Sequence, residues 1–235
     1  MTLAFFYRED IDASMAHVVL DEDTSKHIVQ VLRMQNGEQL QLTDGKGNLY
    51  TAEITDNNRK KCTVKIITSI NAQPSTANIT IAISLIKNSG RFEWFLEKAT
   101  EIGVTEIIPL ICERTEKTSF KFERMQGILI SAMLQSQQCR LPLLRDPVKF
   151  SELVSRSAQQ QKFIAHCTDD AKRNLADLNN TSLSSKIILI GPAGDFTADE
   201  IRLALENHYS AVSLGETRLR TETAGIVAAT LLCLL

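Results

Sequence analysis

The chain has 235 residues and a formal net charge of −2, with 43% apolar and 23% charged residues. This composition is typical of a globular protein and excludes a disordered or collagen-like chain. The five cysteines form no C-x-x-C pair, which argues against a disulfide scaffold or a zinc module and favours a reducing compartment. The N-terminal apolar run is too short for a signal peptide, and the longest apolar stretch, 224–235, is shorter than the roughly 20 residues that span a bilayer. We therefore expect a cytoplasmic protein with no membrane partner.

Short segments of alternating polarity dominate the chain up to about residue 70. Residues 38–43 and 49–54 alternate on either side of the turn-forming stretch 44–47, which predicts a hairpin. Residues 62–66 predict a further strand. Several short strands in so few residues favour a small β-barrel.

One short helix and a linker complete this first part of the chain. A short helix is predicted over 25–32, where Ile28, Val31 and Leu32 share one face. The polar stretch 71–78 breaks the periodicity and predicts a linker. We accordingly expect two domains, 1–72 and 73–235.

Beyond the linker, apolar runs of strand length alternate with helical periodicity. The predicted strands cover 79–86, 106–111, 163–166, 186–190 and 211–214. The predicted helices cover 92–102, ended by Gly103, then 125–133, 197–208 with a capping box, and 221–235. This alternation indicates an α/β domain with a mostly parallel sheet covered on both faces.

Two glycine-containing loops follow predicted strands, at 190–195 and 214–220. Loops at the carboxyl ends of parallel strands commonly bind ligands, and glycines there let the backbone approach a flat group closely. Neither loop matches G-x-G-x-x-G or a P-loop, so neither a dinucleotide nor a P-loop phosphate site is predicted. The alternative is that both loops are simple turns.

The segment 218–224 carries more functional groups than a helix start requires. Thr221 is predicted to cap the last helix, and Glu222 suits its positive end. Two arginines directly before them, Arg218 and Arg220, suggest an anionic ligand or a developing negative charge. A pair of ordinary surface arginines is the alternative.

Other charged and metal-binding residues are less informative. Residues 114–149 contain 7 basic and 3 acidic side chains, which attract phosphate or simply form a solvated helix face. The four histidines are scattered without ligand spacing, so no metal is predicted. His166, at a predicted strand end, contacts a ligand or is a structural histidine.

Four blocks in order resemble those of the RsmE-type 16S rRNA (uracil-N3) methyltransferases of the SPOUT superfamily. Residues 214–224 resemble its R-L-R-T-E-T-A signature, 27–37 its H-x-x-x-V-L-R block, 97–114 its E-L-G-V…P…E-R block, and 191–194 its G-P-E-G-G loop. The blocks span nearly the whole chain.

The resemblance implies an N-terminal PUA-like β-barrel that binds RNA and a SPOUT domain with a trefoil knot. It also implies a homodimer that uses S-adenosyl-L-methionine to methylate N3 of a specific uridine in 16S rRNA, as free RNA or in the assembled small ribosomal subunit. The cofactor residues that it implies are His166, Ile190, Gly191, Pro192, Gly194, Leu214, Gly215, Leu219, Thr223 and Ala224.

The chemistry that the resemblance implies assigns roles to charged residues. Arg220, or secondly Arg218, would stabilise the uracil anion that forms when N3 loses its proton, and Glu222 or solvent would accept that proton. The residues expected to bind RNA phosphates are Arg8, Arg33, Lys87, Arg91 and Arg114.

The sequence departs from the family pattern in two places. Ala193 and Asp195 replace the Glu and the second Gly of the G-P-E-G-G loop, and Leu134 and Gln138 stand where the family has Glu and Arg. Three alternatives therefore remain: a SPOUT enzyme for another RNA position, an RNA-binding assembly factor with a degenerate methyltransferase domain, and a small-molecule α/β enzyme.

Overall fold

The computed structural model describes residues 3–12, 14–71, 77–168 and 172–235. The chain divides into two compact units. The N-terminal unit contains Met1–Pro74 together with Met133–Leu141, and the C-terminal unit contains Ser75–Ala132 and Pro142–Leu235. Among the described residues, no helix is long and apolar enough to cross a membrane.

A five-stranded sheet forms the N-terminal unit. Its strands are Ala4–Tyr7 (β1), His17–Val19 (β2), Gln39–Thr43 (β3), Asn48–Asp56 (β4) and Thr63–Asn71 (β5), in the order β1-β3-β4-β5-β2. The β1–β3 pair is parallel and the other pairs are antiparallel. The alternation in β3 and β4 places Leu40, Leu42 and Tyr50 in the core, as the sequence predicts.

The predicted helix over 25–32 is wrong in its bounds, and the three residues expected on one face differ in burial. The chain forms helix Glu22–Lys26 (α1) and then a π-helical turn at His27–Val31. In that turn the Leu32 N–H bonds to the His27 carbonyl, five residues back, at 2.9 Å. This wider turn leaves Ile28 buried but turns Val31 and Leu32 outward, 67% and 43% exposed.

The segment 133–141 packs with the N-terminal sheet although it lies far along the chain. The Leu141 N–H donates to the Gly45 carbonyl and the Gly47 N–H donates to the Cys139 carbonyl, both at 2.8 Å. The Thr43 hydroxyl also donates to the Cys139 carbonyl, at 3.2 Å. No local pattern in the sequence predicts that this segment packs with the N-terminal sheet, because all three bonds join residues more than 90 positions apart.

An eight-stranded sheet forms the core of the C-terminal unit. Its strands are Asn78–Ser84 (β6), Glu106–Ile111 (β7), Leu143–Leu144 (β8), Val148–Lys149 (β9), Gln161–Ala165 (β10), Arg173–Asn174 (β11), Ser185–Ile190 (β12) and Ser210–Ser213 (β13). The order is β11-β13-β10-β12-β6-β7-β8, with β9 paired to β7, and every described pair is parallel. The α/β fold with a mostly parallel sheet is confirmed, whereas the trefoil knot stays a prediction.

Six helices accompany this sheet in the described part of the chain. They are Ser89–Ile102 (α2), Phe122–Gln135 (α3), Phe150–Arg156 (α4), Leu175–Leu178 (α5), Ala198–Glu206 (α6) and Thr221–Cys233 (α7). Gly103 ends α2 at φ 102°, and Thr197 with Glu200 forms the predicted capping box of α6. The sequence missed β1, β2, β8, β9, β11, α4 and α5 because elements of two to seven residues carry too little periodicity. Part of the predicted linker, 72–76, lies outside the described residues.

The last helix packs closely against its neighbours through Gly225. A Cβ at this position would lie 2.7 Å from Phe95 Cε2 of α2 and 2.9 Å from Ile83 Cδ1 of β6. These distances are shorter than van der Waals contact, so only glycine lets α7 approach this closely.

We expect Gly225→Ala to lower the free energy of unfolding by about 1–3 kcal/mol, because the added methyl overpacks a filled core. Gly127→Ala is the matched control, since Gly127 is exposed in α3 with open space around its Cβ position. That control should gain up to about 1 kcal/mol from helix propensity. Urea unfolding of both variants measures the difference, and equal stabilities would show that α7 can shift away from α2.

Candidate functional site

Three adjoining cavities lie at the carboxyl edge of the parallel sheet. The central cavity, of about 480 Å³, is lined by both glycine loops and the start of α7. The basic cavity, of about 520 Å³, lies beside the loops after β6 and β7, and the strand cavity, of about 280 Å³, lies beside the ends of β10 and β13. Open α/β sheets bind ligands at this edge, and these volumes suit small molecules.

The central cavity brings together most of the residues that the sequence singles out. The predicted residues that line it are Arg91, Ile190, Gly191, Pro192, Gly194, Arg218, Leu219, Arg220, Glu222 and Ala224. The Asp195 N–H bonds to the Pro192 carbonyl at 3.0 Å, which closes a turn whose third residue, Gly194, has φ 124°. That backbone conformation favours glycine, so this position has a structural reason for its residue.

The strand cavity gathers the second glycine loop. Leu214, Gly215, Leu219 and Ala224 line it, and Gly215 has φ 137°. His166 lines it as well, but its ring is buried and its Nδ1 lies 2.7 Å from the Thr168 hydroxyl. The histidine is therefore both a wall of the cavity and a hydrogen-bonded structural group.

The basic cavity contains three cations that the sequence assigns to RNA. Lys87, Arg91 and Arg114 line it. Lys87 forms an exposed ion pair with Glu116 at 2.7 Å, and Arg114 donates a hydrogen bond to the Gly194 carbonyl. The cavity thus carries a net positive charge beside the central cavity, with which it shares Arg91.

Thr221 does not cap the last helix, contrary to the sequence prediction. The N-cap residue is Arg220, and no side chain caps the helix there. Thr221 lies one position further in, and its hydroxyl donates to the Gly191 carbonyl at 3.0 Å. The hydroxyl is therefore used to join the two glycine loops, which meet at the edge of the sheet.

The charged groups at the start of α7 differ in their surroundings. Glu222 is buried, with its Oε1 3.6 Å from Arg91 Nη1. Arg218 and Arg220 are exposed, and neither forms an ion pair with any residue in the described part of the chain. Two guanidinium groups at a cavity wall with no internal carboxylate partner are available to an anionic ligand.

Three predicted site residues line none of these cavities. Thr223, in the first turn of α7, lines none of the three. Arg8 bonds within the N-terminal unit to Asp10, at 2.7 Å, and to the Val19 carbonyl, which ties it to its own fold. Arg33 is exposed with φ 56° in the same unit.

The sequence missed several lining residues. Ile86 follows β6, Ala165 ends β10, Cys167 follows β10, and Lys172 follows the undescribed residues 169–171. The sequence marks Asp195 only as a departure from the G-P-E-G-G motif. No local pattern marks these residues, because they become neighbours only when the parallel strands assemble.

Among the described residues, no group of three His, Cys, Asp or Glu side chains is placed to hold a metal ion.

Cys167 is the exposed member of the five cysteines, and it lines both the central and strand cavities. Burial raises the pKa of the Cys112 thiol to about 12 and that of Cys233 to about 11, so both stay protonated at pH 8. We expect iodoacetamide at pH 8 to modify Cys167 first. Peptide mass spectrometry measures the order, and earlier modification of Cys112 would contradict it.

Comparison with known proteins places the chain in a family. The family model for an RNA methyltransferase domain matches residues 73–233, and that for an RNA methyltransferase PUA domain matches residues 20–67. The chain belongs to this RNA methyltransferase family. Ribosomal RNA small subunit methyltransferase E from a Synechocystis strain is 32% identical over 219 residues, which cover 91% of this chain and 71% of the relative.

Solved structures of the family share the whole fold. A probable rRNA-methyltransferase from Porphyromonas gingivalis is 38% identical, with a TM-score of 0.90 over 97% of this chain and 96% of that one. Ribosomal RNA small subunit methyltransferase E from Neisseria gonorrhoeae, solved with bound S-adenosyl methionine, is 29% identical. Its TM-score is 0.85 over 97% of this chain and 95% of the other. The predicted resemblance and the PUA-like N-terminal part are thereby confirmed.

Proposed function

We propose that this RNA methyltransferase uses S-adenosyl-L-methionine to methylate N3 of a uridine in the 16S rRNA of the small ribosomal subunit. One observation carries the proposal: both glycine loops and two arginines without ion pairs surround a single cavity at the sheet edge. The curated relatives bear the name of a small-subunit rRNA methyltransferase, and a structural neighbour binds the cofactor.

The residues of the cavities fit this cofactor. Leu219 and Ala224 line the central and strand cavities together and provide apolar contact for an adenine ring. Gly194 and Gly215 lie in loops that line these cavities, and glycine there lets a flat group approach the backbone closely. When bound, S-adenosyl-L-methionine supplies an electrophilic methyl group on a sulfonium.

The charged residues then have distinct tasks. Uracil N3 must lose its proton before its lone pair can attack, and the charge that develops spreads to O2 and O4. Arg220 stabilises this anion, and Arg218 is the second candidate. Glu222 is held beside Arg91, so it either accepts the proton or orients Arg91 towards the substrate.

RNA phosphates are expected at the basic cavity, which holds Lys87, Arg91 and Arg114. Arg33 and Arg8 are the proposed RNA contacts of the N-terminal unit. We retain the division at 1–72 and 73–235, a homodimer, a knotted C-terminal domain and a cytoplasmic location as parts of this proposal.

The decisive experiment incubates the protein with isotopically labelled S-adenosyl-L-methionine and small subunits that lack the modification. Nucleoside mass spectrometry should then detect labelled 3-methyluridine, and naked 16S rRNA in parallel identifies the preferred substrate. Label in a different nucleoside would indicate a methyltransferase for another RNA position.

An RNA-binding factor without turnover is the second candidate, favoured by Ala193, which lines the central and basic cavities where the family motif has a glutamate. Salt-dependent binding to the small subunit without any incorporated label would support it. Calorimetric titration with S-adenosylhomocysteine separates the two, because a degenerate domain need not keep a cofactor cavity.

A further inference from the structure

Asp195 occupies a backbone conformation and a position where the family motif has glycine. Its φ is 70°, directly after Gly194 at 124°. Left-handed φ values are uncommon outside glycine, although aspartate tolerates them better than most residues. An aspartate that keeps this conformation needs contacts that hold it there.

Both oxygens of the Asp195 carboxylate accept backbone hydrogen bonds. The Cys167 N–H donates to Oδ2 at 2.6 Å, and the Phe196 N–H donates to Oδ1 at 2.8 Å. Hydrogen bonds to an ionised carboxylate are shorter and stronger than those between neutral groups. The first of them crosses from the loop after β12 to the loop after β10, which are adjacent strands.

This contact is one of three that fix the loop 191–195. The Thr221 hydroxyl holds the Gly191 carbonyl, and the Arg114 guanidinium holds the Gly194 carbonyl. Asp195 supplies the third tie, at the end of the loop. The three partners lie after β10, after β7 and at the start of α7; Cys167 and Thr221 line the central cavity and Arg114 lines the basic cavity.

We infer that Asp195 is a positioning residue that holds the loop 191–195 against Cys167 and keeps the cofactor cavities in their binding shape. The inference rests on the proposed function, since it concerns the same cofactor. Cys167 lines both the central and strand cavities, so releasing it loosens a wall that the two share. Because the two loops are already ordered, cofactor binding does not have to pay the entropic cost of ordering them. With glycine at position 195 the loops would be free to move, and that cost would reduce the affinity.

Three substitutions separate this role from a general effect on the fold. Asp195→Gly removes both hydrogen bonds and relieves the backbone, whereas Asp195→Ala removes them without that relief. Asp195→Asn has one acceptor oxygen, so it keeps one of the two bonds. The control is Asp199→Ala, because Asp199 is exposed on α6 and lines none of the three cavities.

Calorimetric titration with S-adenosylhomocysteine should show about 10-fold weaker binding by Asp195→Gly and Asp195→Ala, which is the usual effect of losing a charge-assisted hydrogen bond. Asp195→Asn should fall between these variants and the wild type, and Asp199→Ala should match the wild type. In the methylation assay, KM for S-adenosyl-L-methionine should rise in Asp195→Gly while kcat stays within about twofold. The Tm of Asp195→Gly should not fall.

Wild-type affinity in Asp195→Gly would overturn the inference. So would parallel losses of Tm, kcat and affinity in that variant, because they would mean that the carboxylate supports the fold rather than the cavity. A wild-type protein that binds neither S-adenosyl-L-methionine nor S-adenosylhomocysteine, with or without small subunits, would instead refute the proposed function, and the inference with it.

Discussion

Arg220→Ala is expected to lower kcat for methyl transfer by about 10²–10³-fold, the usual cost of removing one group that stabilises a developing anion. The affinity for S-adenosylhomocysteine should stay within about twofold, because in the proposed mechanism the guanidinium acts on the substrate base rather than on the cofactor. Arg220 is suited to this role because its exposed side chain lines the central cavity and forms no ion pair within the described chain. Single-turnover methylation with saturating cofactor measures the change.

Two further variants sharpen this result. Arg220→Lys keeps the charge but loses the planar pair of donors, so it should recover only part of the rate. Arg202→Ala is the control, since Arg202 is an exposed residue of α6 that pairs with Asp199 and lines none of the three cavities. An unchanged kcat in Arg220→Ala would remove Arg220 from the mechanism and direct attention to Arg218.

Gly194→Val is expected to abolish measurable cofactor binding, a loss of at least about 100-fold in affinity. Gly194 adopts φ 124°, which a β-branched residue does not tolerate, so the turn that forms the floor of the central cavity must rearrange. Its added Cβ would also lie 3.8 Å from Arg114 Cδ, with the valine methyls beyond it. Calorimetric titration with S-adenosylhomocysteine measures the loss.

Gly103→Val is the matched control for backbone strain. Gly103 has φ 102° and open space around its Cβ position, but it precedes β7 and therefore lies at the opposite edge of the sheet from the cavities. Both variants should lose stability, yet only Gly194→Val should lose the cofactor. If Gly194→Val binds S-adenosylhomocysteine as tightly as a binding-competent Gly103→Val does, the loop 191–195 is a simple turn.

The departure at Asp195 has a structural explanation that the departure at Ala193 lacks. The Asp195 carboxylate bonds to two backbone N–H groups. Ala193 lines the central and basic cavities, whose carboxylates already have partners: Asp195 bonds to backbone N–H groups, Glu222 lies beside Arg91, and Glu116 pairs with Lys87. The methylation assay therefore bears most directly on position 193, where Ala193→Glu should raise kcat if the missing carboxylate limits turnover.

Local patterns in the sequence were enough to predict the long elements and the motifs. The apolar runs of β6, β7 and β12, the 3.6-residue period of α2, the capping box of α6 and the stop at Gly103 are local patterns, so each could be predicted from neighbouring residues. The glycine loops and the arginine pair were identified in the same way. Their common location followed from the rule that ligands bind at the carboxyl ends of parallel strands.

The hydrogen bonds that the side chains of the site form depend on contacts between distant parts of the chain. Thr221 has the residue type and place of a helix cap, yet its hydroxyl bonds to Gly191, 30 residues away. Asp195 meets Cys167 across 28 residues, and the π-helical turn at His27–Val31 exposes two side chains that an α-helix would bury. Contacts of this kind depend on which strands become neighbours, and no local period or propensity encodes that choice.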